Sequence, residues 1–129
     1  MEAPVAIPAK LPNEIKQFQR LQQDLSQVAQ QRAQMDLKLR EVVHTIDGLK
    51  ALPEETSVYR PIGGLLVKAR SRKEVEDLLG EEKETLEVRV KSLERQESHL
   101  KERYSEMQKE LSEALRSAGV VSEASPAGA

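Results

Sequence analysis

The sequence predicts a mainly α protein: a long antiparallel two-helix coiled coil with a single β-hairpin at the bend. Three observations predict it. Two charge-rich segments carry apolar residues at strict 3–4 spacing. Between them lies Ser57–Ala69, SVYRPIGGLLVKA, which reads as two short extended runs joined at Gly63-Gly64. And the composition, 33% charged with 2% aromatic residues, cannot fill a thick globular core.

Residues 1–12 hold Pro4, Pro8 and Pro12. Each proline removes a helical donor, so a flexible arm is expected there. Asn13 is a fair N-cap for the first helix, with Glu14 near the positive end of its dipole. The seam then runs through Phe18, Leu21, Leu25, Val28, Arg32 and Met35, and on through Leu39, Val42, Ile46 and Leu49. Its register never slips, and Arg32 is its only polar member. Pro53 pushes the residue before it out of the α region, which sets the helix end near Ala51.

The bend pairs Val58–Ile62 with Leu65–Ala69, and two glycines between them suit a two-residue turn with positive φ. Pro61 cannot donate to a ladder, so its nitrogen should face away from the partner strand. Leu65, Leu66 and Val67 are apolar on consecutive residues, as in a strand covered on both faces. One hairpin on one chain cannot supply two covering layers, and a lone hairpin is marginal in water. Val58, Tyr59, Ile62, Leu65, Leu66 and Val67 are therefore the candidate assembly surface.

The second helix should start near Ser71 or Arg72, with Ser71 and Glu74 spaced as a capping box. Its seam includes Leu79, Leu86, Val90, Leu93, Leu100 and Tyr104, then Met107, Leu111 and Ala114. Glu76, Lys83 and Glu97 are its polar members. Gly119 marks the end, and residues 118–129 are small and polar enough to be disordered. The organisation is thus an arm over 1–12, a helix-hairpin-helix domain over 13–117 and a tail over 118–129.

Laid antiparallel, paired seam positions sum to a constant, so that Phe18 meets Met107, Leu21 meets Tyr104 and Ile46 meets Leu79. Beyond Phe18 the pairing runs out. Leu11, Ile15, Phe18 and Leu21 on one helix, with Met107, Leu111 and Leu115 on the other, are then apolar side chains short of partners and candidates for contact with another polypeptide. Arg32 and Glu97 interrupt the seam one layer apart, and are expected to pair and fix the register.

Other chemistry is not indicated. Twenty basic and 22 acidic residues are interleaved, so no basic stripe footprints nucleic acid. The chain has no Cys, and His44 and His99 fall off both seams and far apart, so no metal, cofactor or catalytic constellation is expected. No uncharged run approaches the roughly 20 residues of a membrane span. A secretion signal is not legible at the N-terminus, and a soluble cytoplasmic protein is the default.

The layout resembles the β-type subunit of prefoldin, of the archaeal kind. The residues that carry the likeness are Leu52-Pro53-Glu54, Val58-Tyr59 and Gly64-Leu65-Leu66-Val67-Lys68, with Glu84–Arg89 and Glu94–Glu97 on the second helix. The resemblance implies a hexamer of two α-type and four β-type subunits built on a double β-barrel of hairpins. It further implies nucleotide-independent capture of unfolded proteins at the coiled-coil tips and their delivery to a group II chaperonin. A plain coiled-coil adaptor or tether is the rival reading. It would need no doubly apolar hairpin.

Overall fold

The structure, a computed structural model, describes residues 10–119. The arm expected over 1–12 and the tail expected over 118–129 lie outside that range but for their innermost residues. Four elements follow one another: α1 (Leu11–Lys50), β1 (Tyr59–Ile62), β2 (Leu65–Lys68) and α2 (Arg72–Ser117). This is the expected mainly α fold of two long helices flanking one hairpin.

Helix α1 starts at Leu11, ahead of the expected Asn13. The Glu14 N–H donates to the Lys10 carbonyl at 2.9 Å, so Lys10 occupies the cap position and Asn13 lies in the first turn. Pro12 does not block this start. In the first turn the missing N–H would have had no intrahelical partner, and a proline's fixed φ already suits a helix. At the other end the Ala51 N–H still bonds to the Asp47 carbonyl, and the Leu52 N–H tightens to an i−3 bond with Leu49. Pro53 then opens a turn closed by the Thr56 N–H on its carbonyl at 3.0 Å.

Strands β1 and β2 pair antiparallel, with Ile62 opposite Leu65 and Tyr59 opposite Lys68. Gly63 has φ +58° and Gly64 is not in the left-handed region, the pattern of a type II′ hairpin turn with glycine first. The Ala69 N–H donates to the Val58 carbonyl at 2.8 Å. Hydrogen-bonded pairs alternate along an antiparallel ladder, so they fall at Ile62/Leu65, Arg60/Val67 and Val58/Ala69. Pro61 thus stands at a non-bonded position, with its nitrogen on the outer side, as a residue without an N–H requires.

Helix α2 opens on Ser71. Its Oγ accepts the Glu74 N–H at 3.1 Å, while Glu74 Oε2 accepts the Arg70 N–H at 2.9 Å. The box is reciprocal, but its return bond reaches one residue further back than Ser71. Gly119, with φ +73°, ends the helix, its N–H on the Arg116 carbonyl at 3.0 Å. A glycine takes that conformation without a Cβ clash.

The chain divides into two compact units. A terminal unit comprises Met1–Ala29 with Arg95–Ala129, and a hairpin unit comprises Gln30–Glu94. Each has its own apolar centre. In the terminal unit Leu11, Leu21, Leu111 and Ala118 are buried, and in the hairpin unit Val42, Leu49, Val75, Leu86, Val90 and Leu93 are. Every seam position read from the sequence is buried or half-buried, and none is exposed. No described helix is long and apolar enough to cross a membrane.

Candidate functional site: the hairpin and the helix ends

Strand geometry sorts the hairpin side chains into two faces, because successive residues point to opposite sides. Arg60, Ile62, Leu65 and Val67 share one face, and Tyr59, Pro61, Leu66 and Lys68 share the other. Both faces carry uncovered apolar groups: Leu66 is 74% exposed and Leu65 69%, with Tyr59 and Ile62 each about half exposed. Val67 is 41% exposed and Val58 half-buried. All six candidate assembly residues thus lie together at a two-stranded sheet that has no second layer on either side among the described residues.

A bond the spacing did not reveal anchors the sheet to its surroundings. Arg72, the first residue of α2, donates from Nη1 to the Leu52 carbonyl just past the end of α1. Its Nε lies 3.2 Å from Glu76 Oε1. That oxygen is otherwise without a hydrogen bond, so the contact with Arg72 is an ion pair of imperfect alignment. Arg72 therefore ties the entry and exit of the hairpin segment together. The only sequence signal for it was the i,i+4 spacing with Glu76.

In the terminal unit the expected shortage of partners is not found. Leu11 is 2% exposed, Leu21 5% and Leu111 8%. The cause is the earlier start of α1: the 3–4 seam continues through Glu14 to Leu11, one layer beyond its expected end. On α2 it continues through Ala118, which is also buried. Phe18, Met107 and Leu115 are half-buried, and Ile15 alone of the seven is exposed, at 36%. Phe18 stacks on Tyr104 with ring centroids 4.9 Å apart and planes 26° from parallel. Gln22 Nε2 reaches the Tyr104 hydroxyl at 3.4 Å. Phe18 thus lies against Tyr104, which the alignment places opposite Leu21, one layer along the seam. Stacking of this kind adds about 0.5–1.5 kcal/mol to the area buried.

Arg32 belongs to the hairpin unit and Glu97 to the terminal unit. Arg32 Nη1 bonds to Asp36 Oδ2 at 2.8 Å, one turn along its own helix. Glu97 is 8% exposed, the one buried charged side chain among the described residues. His44 and His99 are both exposed. No group of three or more His, Asp or Glu among the described residues could hold a metal ion.

The family model of the prefoldin subunit matches residues 12–118. Among curated relatives, the prefoldin subunit beta of Archaeoglobus fulgidus is 39% identical over 109 residues, which is 84% of this chain and 93% of that one. The prefoldin subunit beta of Sulfolobus acidocaldarius is 38% identical over 109 residues, 84% of this chain and 86% of that one. Among solved structures, the prefoldin beta subunit from Thermococcus strain KS-1 superposes with a TM-score of 0.79 at 36% identity, covering 87% of this chain and 97% of that one. A match over nearly all of the helix-hairpin-helix span, in sequence and in fold alike, means that the chain belongs to the prefoldin subunit family and to its β type.

Proposed function

We propose that this chain is one subunit of a hexameric, ATP-independent chaperone in the cytoplasm, built from two α-type and four β-type subunits. In this reading the hairpins join into a β-barrel platform, the helix ends hold unfolded proteins, and the complex hands them to a group II chaperonin. The observation that carries the reading is the hairpin: a two-stranded sheet with apolar side chains uncovered on both faces is incomplete alone. Membership of a family whose members are named as subunits points the same way.

The helix ends support the client-binding half less directly. Ile15 and the half-buried Phe18, Met107 and Leu115 form its accessible part. Leu11, Leu21 and Leu111 can meet a client only if the helix ends separate. That burial favours the second reading, a coiled-coil adaptor or tether without chaperone activity. The test is suppression of aggregation of a chemically denatured protein by the chain assembled with an α-type subunit. Ile15→Ser, Phe18→Ser, Met107→Ser and Leu111→Ser together should abolish protection with the oligomer mass unchanged. Ile15→Ser alone, which leaves the buried residues in place, should weaken it. Protection by the fourfold variant equal to that by the wild type would move client binding away from the helix ends. No protection by the wild-type assembly would favour the tether.

A further inference from the structure

Between α1 and α2 the terminal unit carries two shallow depressions that share Gln17, Arg103 and Met107 and so form one groove. The wider part, about 340 Å³, lies by Glu14 and Leu111, and the narrower, about 180 Å³, by Leu21, Asp24 and Leu100. Leu21 and Leu111 line it as buried residues, while Leu100 and Met107 are half-buried and still present apolar surface. The rim is charged in blocks. Glu14, Glu106 and Glu110 stand at the end nearer Lys10, and Arg103 and Arg20 follow further in. None of the ion pairs among the described residues uses any of these five. Residues 1–9, MEAPVAIPA, join the groove at Lys10, which lies in a turn. They fall outside the family match, which begins at residue 12, so the shared helix-hairpin-helix fold does not call for them. Pro4 and Pro8 fix their own φ and bias Ala3 and Ile7 towards extended backbone. In an extended run Ala3, Val5, Ile7 and Ala9 share one side, an apolar strip with Glu2 as the segment's one charged side chain.

We propose that residues 1–9 fold back at Lys10 and lie in this groove, with Ile7 and Val5 over Met107 and Glu2 near Arg20 and Arg103, where they compete with a client. The inference rests on the client-binding reading above and adds a regulation of that site. Reach is sufficient: nine extended residues cover about 28 Å, whereas Glu14 to Asp24 rises about 15 Å along α1. The surplus serves the reversal at Lys10. Charge sets the direction, since Lys10 enters among Glu14, Glu106 and Glu110 and Glu2 ends beside the arginines. Exposed pairs of this kind add little strength, but they disfavour other placements. A strip of small apolar side chains binds weakly by itself, with a Kd on the order of 1 mM, and a short tether holds it at an effective concentration of the same order. The groove is then covered about half of the time, and a client's affinity falls by the fraction left open. A methionine floor adapts to whichever chain lies on it, so the segment and a client can both use Met107.

The chain has no Cys, so Ala6→Cys gives a single attachment point for a nitroxide on the side of the strip away from the groove. In the full chain the label should broaden the amides of Gln17–Leu21 and Arg103–Met107. Val5→Ser with Ile7→Ser should remove that broadening and leave helicity unchanged. Broadening confined to the first turn of α1 would overturn the docking. Broadening seen only when the spin-labelled chain is mixed with an isotope-labelled, unmodified one would assign the groove to a second copy and overturn it too. The effect on a client is read by fluorescence anisotropy of a chemically denatured protein, with the chain assembled with an α-type subunit. Deleting residues 2–9 should raise client affinity about two- to tenfold, and a synthetic peptide of residues 1–10 at millimolar concentration should reverse the gain. Docking with client affinity unchanged by the deletion would overturn the competition and leave client binding standing. Docking with no client held by either form would overturn the client-binding reading and the competition with it.

Discussion

Gly63 and Gly64 are adjacent and identical, yet substitution should act on them in opposite directions. A Cβ added at either would meet nothing within 4 Å, so neither change carries a packing term. What differs is the backbone: Gly63 has φ +58° and Gly64 does not lie in the left-handed region. A residue with a Cβ pays about 1–2 kcal/mol in that region. Replacing glycine also stiffens the unfolded chain, which returns about 0.4–1 kcal/mol wherever the native φ is acceptable. Gly63→Ala should therefore destabilise the hairpin by roughly 0.5–1 kcal/mol, and Gly64→Ala should stabilise it by about 0.4–1 kcal/mol. The contrast, about 1–2 kcal/mol, is roughly a five- to thirty-fold change in the folded fraction of the turn. An isolated two-stranded sheet is marginal, so such a change is directly visible in a dilute, monomeric sample. The assay is amide exchange at Val67 and Ala69 with backbone chemical shifts along both strands. Equal losses at the two positions would mean that both turn residues need positive φ and that the hairpin closes on a type I′ turn instead.

Two further substitutions test the helices that flank it. Ser71→Ala removes the acceptor of the Glu74 N–H and should cost about 1 kcal/mol, read as faster amide exchange confined to the first turn of α2; a uniform loss along α2 would refute a local cap. Gly80→Ala should stabilise by about 1 kcal/mol, because Gly80 lies inside α2 and a Cβ there meets nothing within 4 Å; a lower melting temperature would show that a close approach depends on the bare backbone.

What was legible in the sequence was periodic. The 3–4 spacing placed every seam residue on the covered side of its helix, because burial in a coiled coil follows from spacing alone. The hairpin was legible for a similar reason, since two glycines between apolar runs leave few turn geometries open. The helix ends were harder. Pro12 was read as a breaker, but a proline in the first turn loses no bond, so α1 begins at Leu11 and buries it. That single offset reverses the picture of Leu11 and Leu111 from unpartnered to covered. Non-local bonds left no trace in spacing: nothing near Leu52 announces that its carbonyl receives Arg72. Nor does the pattern say that Phe18 lies against Tyr104, since spacing assigns layers and not which rings touch.

The two ends of the seam differ in a way that bears on the proposed division of labour. Among the described residues the hairpin's apolar groups are left uncovered, with Leu65 and Leu66 about 70% exposed, whereas Leu11, Leu21 and Leu111 at the helix ends are already covered. Burying exposed apolar surface yields about 25 cal/mol per Å², and surface that is buried beforehand yields nothing further. On the proposed reading, assembly through the hairpin should then be strong and lasting, while a single pair of helix ends should hold a client weakly, through Ile15 and the open edges of Phe18 and Met107. Useful affinity has to come from several helix ends linked on one platform, where tethering raises the effective concentration of each further contact. On the same proposed reading, a chain that has not assembled exposes more apolar surface at its hairpin than at its helix ends, so assembly should come before client binding.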